Sequence, residues 1–158
     1  LFDDLLRDAP GWDDVAWLQA NTRLPVILKG ILHPDDARQA ASLQAGGVIV
    51  SNHGGRTLDS APPTAEVLPR IADALAGALP LLVDGGIRRG TDILKAMALG
   101  ANAVLVGKPY VFGLANAGAL GVAHVLRLLR DELEIAMALC GCATLDAIPA
   151  GLLGAGQP

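Results

Sequence analysis

Aromatic residues are almost missing from this chain: two Trp, one Tyr and two Phe among 158 residues. With 52% of its residues still hydrophobic, the core has to be aliphatic, built from Ala, Leu, Val and Ile, and disorder is excluded. Cysteine is scarce too. Cys140 and Cys142 stand in a C-G-C spacing that fits neither a disulfide framework nor the two-residue gap of zinc ligands. That leaves two free thiols of a reducing compartment and no metal site. Positive charge is in deficit, with twelve Lys and Arg against sixteen Asp and Glu for a net charge of −4. A pI near 5.2 carries no electrostatic footprint for nucleic acid, which is excluded as a partner. Nineteen glycines and ten prolines follow no G-X-Y period, so a fibrous chain is excluded as well.

An initiator Met is also lacking: the chain opens on Leu1, and no signal-peptide pattern follows. The longest uncharged run, Pro109 to Leu126, is nearly long enough to span a membrane. Pro109, Asn116, His124 and three glycines interrupt it, and it leads into the amphipathic stretch Val125 to Leu133. A buried helix after a loop is the expectation there.

What is present is a repeating pattern. Four short apolar runs, Leu24–Leu28, Gly47–Val50, Leu79–Val83 and Ala103–Val106, show little alternation, as strands buried on both faces do. Each is followed by a glycine-bearing polar turn and then a helical pattern. Lys29-Gly30 leads to Pro34-Asp35-Asp36, where proline and acids suit a first helical turn. Asp84-Gly85-Gly86 leads to Thr91-Asp92 as N-cap, with the helix stopping at Gly100. Alanine-rich faces (Ala37, Ala40 and Ala41; Ile93, Ala96 and Met97) are narrow enough to pack closely on a sheet. The helix from Thr64 contains Pro69 and should be kinked or begin late.

This β-α alternation predicts an α/β fold with a parallel sheet. A shift of 56 positions superposes Gly30-Ile31 on Gly86-Ile87, Asp36 on Asp92, Ala40 on Ala96, Val48 on Val104 and Val50 on Val106. A two-unit repeat of this kind suits a (β/α) barrel built by duplication. A complete eight-unit barrel needs ~250 residues, so four units make half of one. A doubly wound sheet of four or five strands would fit the length unaided.

In either architecture ligands bind where the strands end. Those ends carry Lys29-Gly30, Ser51-Asn52-His53-Gly54-Gly55-Arg56, Asp84-Gly85-Gly86-Ile87-Arg88-Arg89-Gly90 and Gly107-Lys108-Pro109. Glycines ahead of a helix start expose N–H groups, and Arg88, Arg89 and Lys108 add positive charge, so this rim suits a phosphate. His53, between a buried strand and two glycines, is of a type that exchanges protons near neutral pH. Arg56 offers a planar fork for a carboxylate. A base and a carboxylate clamp on one loop suit chemistry on the carbon beside a carboxylate, while a structural histidine serving loop carbonyls is the plain alternative. Lys29 is either a partner for a bound anion or a snorkelling surface lysine. His33, at a helix start, and His124, on the last long helix, lie off this rim and are not expected to be catalytic.

Taken together, L-P-V-I-L-K-G from Leu24, S-N-H-G-G-R-T-L-D from Ser51, D-G-G-I-R-R-G-T-D from Asp84 and G-K-P from Gly107 closely resemble the FMN-dependent α-hydroxy acid oxidases and dehydrogenases. The likeness runs from about Trp12 to Ile148, and S-N-H-G-G-R is its most discriminating piece. The resemblance implies a TIM (β/α)8 barrel, with residues 1–158 as its C-terminal half and the N-terminal half absent. It implies FMN as cofactor and oxidation of an L-2-hydroxy acid to a 2-oxo acid.

By position, Lys29 resembles the lysine at the flavin N1–C2 carbonyl edge, and Ser51 a strand-end flavin contact. His53 resembles the active-site base, in contact with substrate, and Arg56 the substrate-carboxylate clamp. Asp84, Gly85, Gly86, Ile87 and Arg88 look like ribityl and phosphate contacts, and Gly107 and Lys108 like the rest of the phosphate site. Two positions depart from the family pattern: Lys108 stands where arginine is usual, which keeps the charge but loses the fork, and Thr57 stands where glutamine is common. Oxygen, a quinone or a cytochrome would be the electron acceptor, and the full-length protein would be a homo-oligomer, cytoplasmic or peripheral at the inner membrane. Two other readings stand beside this one. The chain could be another FMN barrel, of the glutamate synthase or isopentenyl diphosphate isomerase type, which should lack the His53/Arg56 pair. It could also be a catalytically incomplete half barrel serving as an FMN-binding or assembly piece.

Overall fold

The computed structural model describes residues 7–154; residues 1–6 and 155–158 lie outside it. The elements in order are α1 (Trp12–Ala20), β1 (Ile27–Ile31), α2 (Pro34–Ser42), β2 (Gly47–Val50), α3 (Thr64–Leu75), β3 (Leu81–Val83), α4 (Gly90–Ala98), β4 (Ala103–Val104) and α5 (Lys108–Leu139), then two 3-10 turns at Leu145–Ala147 and Ala150–Leu152. The strands form one sheet in the order β1-β2-β3-β4, and every pairing is parallel. A doubly wound sheet reverses its strand order at a switch point. Here the order never reverses, as in a barrel wall.

The hydrophobic core lies between this sheet and its helices. Val48, Val50, Leu68 and Ile71 are at most 1% exposed, and Ala37 and Ala40 are fully buried. Burying each of the larger side chains contributes about 1.5–3 kcal/mol, and the two alanines let α2 lie close to the sheet. Helix α3 buries Val67, Leu68, Ile71 and Leu75 on one side. It starts at Thr64 and runs through Pro69 rather than beginning late. The missing proline N–H leaves the Ala65 carbonyl unpaired, but Ala65 is exposed, so water can take that bond.

Several local expectations are corrected. Strand β1 starts at Ile27 and runs through Lys29 and Gly30 to Ile31, so Lys29 belongs to the strand and not to the turn after it. Pro25 cannot donate to a ladder, and a register shift between Lys29 and Ile31 lets pairing continue past Gly30, whose φ is +101°. Strand β3 begins at Leu81, after Pro80, and β4 is two residues long. Only β2 is buried along its whole length; β1 and β4 are the sheet edges among the described residues and are half-exposed. The N-cap of α4 is Arg89, not Thr91 or Asp92. Asp92 acts from inside the helix, accepting the N–H groups of Arg88 and Arg89 at 3.0 and 2.9 Å.

The last helix differs most from expectation. Helix α5 breaks at Ala117 and Gly118, and its two arms cross where a β-carbon on Gly121 would lie 1.9 Å from the Gly113 carbonyl oxygen. It is not a buried helix: Phe112, Leu120, Ile135 and Leu139 are 61–83% exposed. By length and composition alone α5 could cross a membrane, but the break divides it. Arg127 to Asp131 and Arg130 to Glu134, each at 2.7 Å, make exposed ion pairs one turn apart on its second arm.

Candidate active site

Side chains on adjacent parallel strands share a face when their residues are register partners. Lys29 pairs with Ile49, and Ile49 with Leu82, so these three lie on one face. One pleat further on, Ser51 and Asp84 extend the same row past the strand ends. The Lys29 ammonium donates to Ser51 Oγ at 2.6 Å and pairs with Asp84 Oδ2 at 2.8 Å. Ser51 Oγ also accepts the His53 N–H at 3.1 Å. Lys29 is therefore engaged by side chains of its own chain and is not a snorkelling surface lysine.

The loop after β2 turns at Asn52–Gly55, closed by Gly55 N–H to the Asn52 carbonyl at 3.0 Å. Both central residues are left-handed, His53 with φ +55° and Gly54 with φ +73°, as a type I′ turn requires. Histidine enters that region more readily than most residues. The imidazole lies beside Gly30, where a β-carbon would sit 3.3 Å from His53 Cε1. His53 and Arg56 are both exposed, and neither makes an ion pair among the described residues.

Asn52 was not singled out from the sequence, yet it ties this loop together. Its Oδ1 accepts the Gly54 N–H at 3.1 Å, and its Nδ2 donates to the Pro62 carbonyl at 3.2 Å. Lys108, at the first turn of α5, donates to the Gly54 carbonyl at 3.2 Å, which brings the loops after β2 and β4 together.

The loop after β3 supplies the other wall. Gly85 and Gly86 have φ of +84° and +78°, and β-carbons at Gly86 and Gly107 would meet nothing within 4 Å. Open space beside bare backbone is what a phosphate cradle needs. Arg88 and Lys108 are exposed at its edge, while the Ile87 side chain is in the core, so only its backbone is available to a ligand. Gly90 N–H is held by Glu132 Oε2 at 2.8 Å, and Arg89 lies 3.8 Å from the same carboxylate. Arg89 therefore has an acidic partner on α5, which Arg88 lacks among the described residues.

One atom stands out. Asp84 Oδ1 is buried with no hydrogen-bond partner, a costly arrangement that a ligand hydroxyl would relieve. Together with the glycine cradle and the two cations, it fits a flavin mononucleotide, which carries ribityl hydroxyls and a phosphate. His33 caps α2, its Nδ1 accepting the Asp35 N–H at 3.2 Å, and His124 is exposed on α5; neither joins the site. Among the described residues no group of His, Cys, Asp or Glu is placed to hold a metal ion.

Residues 1–155 match the family model of the FMN-dependent dehydrogenases. The chain belongs to that family. An L-lactate oxidase of Alicycliphilus denitrificans is 55% identical over 148 residues, covering 94% of this chain and 40% of the relative. A peroxisomal (S)-2-hydroxy-acid oxidase of Oryza sativa subsp. japonica is 56% identical over 137 residues, covering 87% of this chain and 37% of the relative. A mandelate oxidase variant solved with an FMN adduct superposes with a TM-score of 0.87 at 52% identity, covering 89% of this chain and 45% of that one. The chain thus spans about two fifths of the length of these relatives. Its fold is that of the FMN-dependent dehydrogenase barrel, of which the described residues hold four consecutive βα units.

Proposed function

We propose that this chain is the C-terminal half of an FMN-dependent enzyme that oxidises a small L-2-hydroxy acid to the 2-oxo acid. The observation that carries the proposal is the loop Ser51–Arg56. It holds an exposed base and an exposed guanidinium beside the Lys29–Ser51–Asp84 cluster and its unsatisfied carboxylate oxygen.

Lys29, Ser51 and Asp84 would hold the flavin and its ribityl chain. The backbone of Gly85, Gly86 and Ile87, with Arg88, Gly107 and Lys108, would hold the phosphate. Bound FMN supplies a two-electron acceptor, and a cation at Lys29 favours the negative charge that reduction brings. Arg56 pairs with the substrate carboxylate, an interaction worth about 2–4 kcal/mol in a desolvated site. His53 takes one proton from the substrate, either from carbon or from the hydroxyl, as two electrons leave it. The relatives named oxidases favour oxygen as the final acceptor, with a quinone or cytochrome as the alternatives.

The test is anaerobic reduction with lactate, glycolate and mandelate. Replacing His53 by glutamine should slow flavin reduction by about 10²–10⁴-fold, the usual contribution of a general base, with FMN still bound. Near-normal reduction in H53Q would remove the assignment of the base.

A second reading is favoured by the exposed apolar surface of α5 and the two half-exposed sheet edges. Residues 1–158 alone would then be an incomplete half barrel that associates through these surfaces and lacks activity. Size-exclusion chromatography of residues 1–158 separates the two: a stable monomer that turns over substrate would exclude the incomplete-piece reading.

A further inference from the structure

We propose that Thr64 is a positioning residue for the cofactor site, its hydroxyl fixing the Asp84–Gly85 turn so that the Asp84 carboxylate faces the ligand. This rests on the FMN reading of the site. Thr64 is 4% exposed and is, with Ser51, one of two buried polar residues among those described. It opens α3, yet its side chain does not cap its own helix. The hydroxyl instead donates to the Asp84 carbonyl at 2.7 Å, with the Gly85 carbonyl at 3.4 Å.

The Asp84 backbone is thereby held on both sides, since its N–H donates to the Val50 carbonyl at 3.0 Å. With both neighbouring peptides anchored, the backbone carries the carboxylate to the Lys29 ammonium. Oδ2 is on Lys29 at 2.8 Å, and Oδ1 is buried without a partner. The glycine at 85 leaves room for this hydroxyl, because a β-carbon there would sit 3.1 Å from Thr64 Oγ1 and 3.3 Å from Asn52 Oδ1. Removing the hydroxyl would release the turn and leave a carbonyl with no donor. The unsatisfied Oδ1 would then lose its fixed direction.

The measurement is the FMN dissociation constant, from quenching of flavin fluorescence, on the protein at its full encoded length. Thr64→Val keeps the shape and removes the hydroxyl, and should weaken FMN binding about tenfold, the worth of one buried hydrogen bond. Thr64→Ser keeps the hydroxyl and should stay within about twofold of wild type. In an Asp84→Ala background T64V should cost less than about twofold more, because the group it orients is gone. The proposal is overturned by wild-type affinity in T64V, by an equal loss in T64S, or by an undiminished loss in the D84A background. Should T64V not fold, Thr64→Ala against T64S carries the same comparison. Failure of the wild-type protein to bind FMN would overturn the cofactor reading itself, whereas normal binding by wild type and T64V alike overturns only the role of Thr64.

Discussion

Lys29 and Asp84 meet at 2.8 Å across the ends of β1 and β3, with strand β2 between them in the sheet. One carries a cation and the other a carboxylate, and the parallel sheet brings the two together, with Ser51, which lies between them in the chain, accepting from the same ammonium. Replacing Lys29 by methionine would strand a carboxylate whose side chain is 17% exposed. The expected loss is about 1–2 kcal/mol, below that of a fully buried pair because Lys29 is partly open to water. Urea denaturation should show it, and Asp84→Asn in the same chain should recover part of it.

Arg56 is held by no ion pair among the described residues, so changing it should leave the fold intact. Arg56→Ala should raise KM for a 2-hydroxy acid by about 30-fold or more, the lower end of a charge-assisted pair. Arg56→Lys should recover only a fraction, since an ammonium cannot match both carboxylate oxygens. Steady-state kinetics with unchanged thermal melting would bear this out. An unaltered KM in R56A would remove the clamp.

Lys108 is the one phosphate-site cation seen bonded to the histidine loop, through the Gly54 carbonyl at 3.2 Å. Lys108→Arg restores a bidentate fork and should tighten FMN binding about threefold. Riboflavin, which has no phosphate, should bind as before. Equal gains for both ligands would show that residue 108 acts on the loop and not on the phosphate.

The crossing of the two α5 arms depends on a missing side chain. Gly121→Ala would force a methyl group against the Gly113 carbonyl and should cost about 1–3 kcal/mol by overpacking. Gly151→Ala, which would meet nothing within 4 Å, should stay within about 0.5 kcal/mol of wild type. Thermal melting of the two variants makes the comparison.

Much of this molecule was legible residue by residue. The runs around Val48-Ile49-Val50 and Leu81-Leu82-Val83 read as strands because β-branched and aliphatic residues stand without alternation, a pattern contained within a few positions. The rim was legible for the same reason: His53, Arg56, Asp84 and the glycines sit directly after those runs, and strand ends are where α/β folds bind ligands. The starts of α2, α3 and α4 were placed to within about two residues, whereas α1 was not read as a helix. At α4 the error came from expecting Thr91 to cap when Asp92 does so from inside the helix.

The sparse aromatics and the apolar runs determined an aliphatic α/β chain with a glycine-rich, cationic rim. Only the tertiary structure decided that the strand order never reverses, that Lys29 lies inside β1, that α5 breaks and stays exposed, and that the Thr64 hydroxyl serves Asp84. The reason is range. Strand propensity and helix period are carried by neighbours in sequence. A register shift at Gly30, a hydroxyl bonded 20 residues away and a helix crossing at two glycines are set by which surfaces come into contact, and no local pattern contains that information.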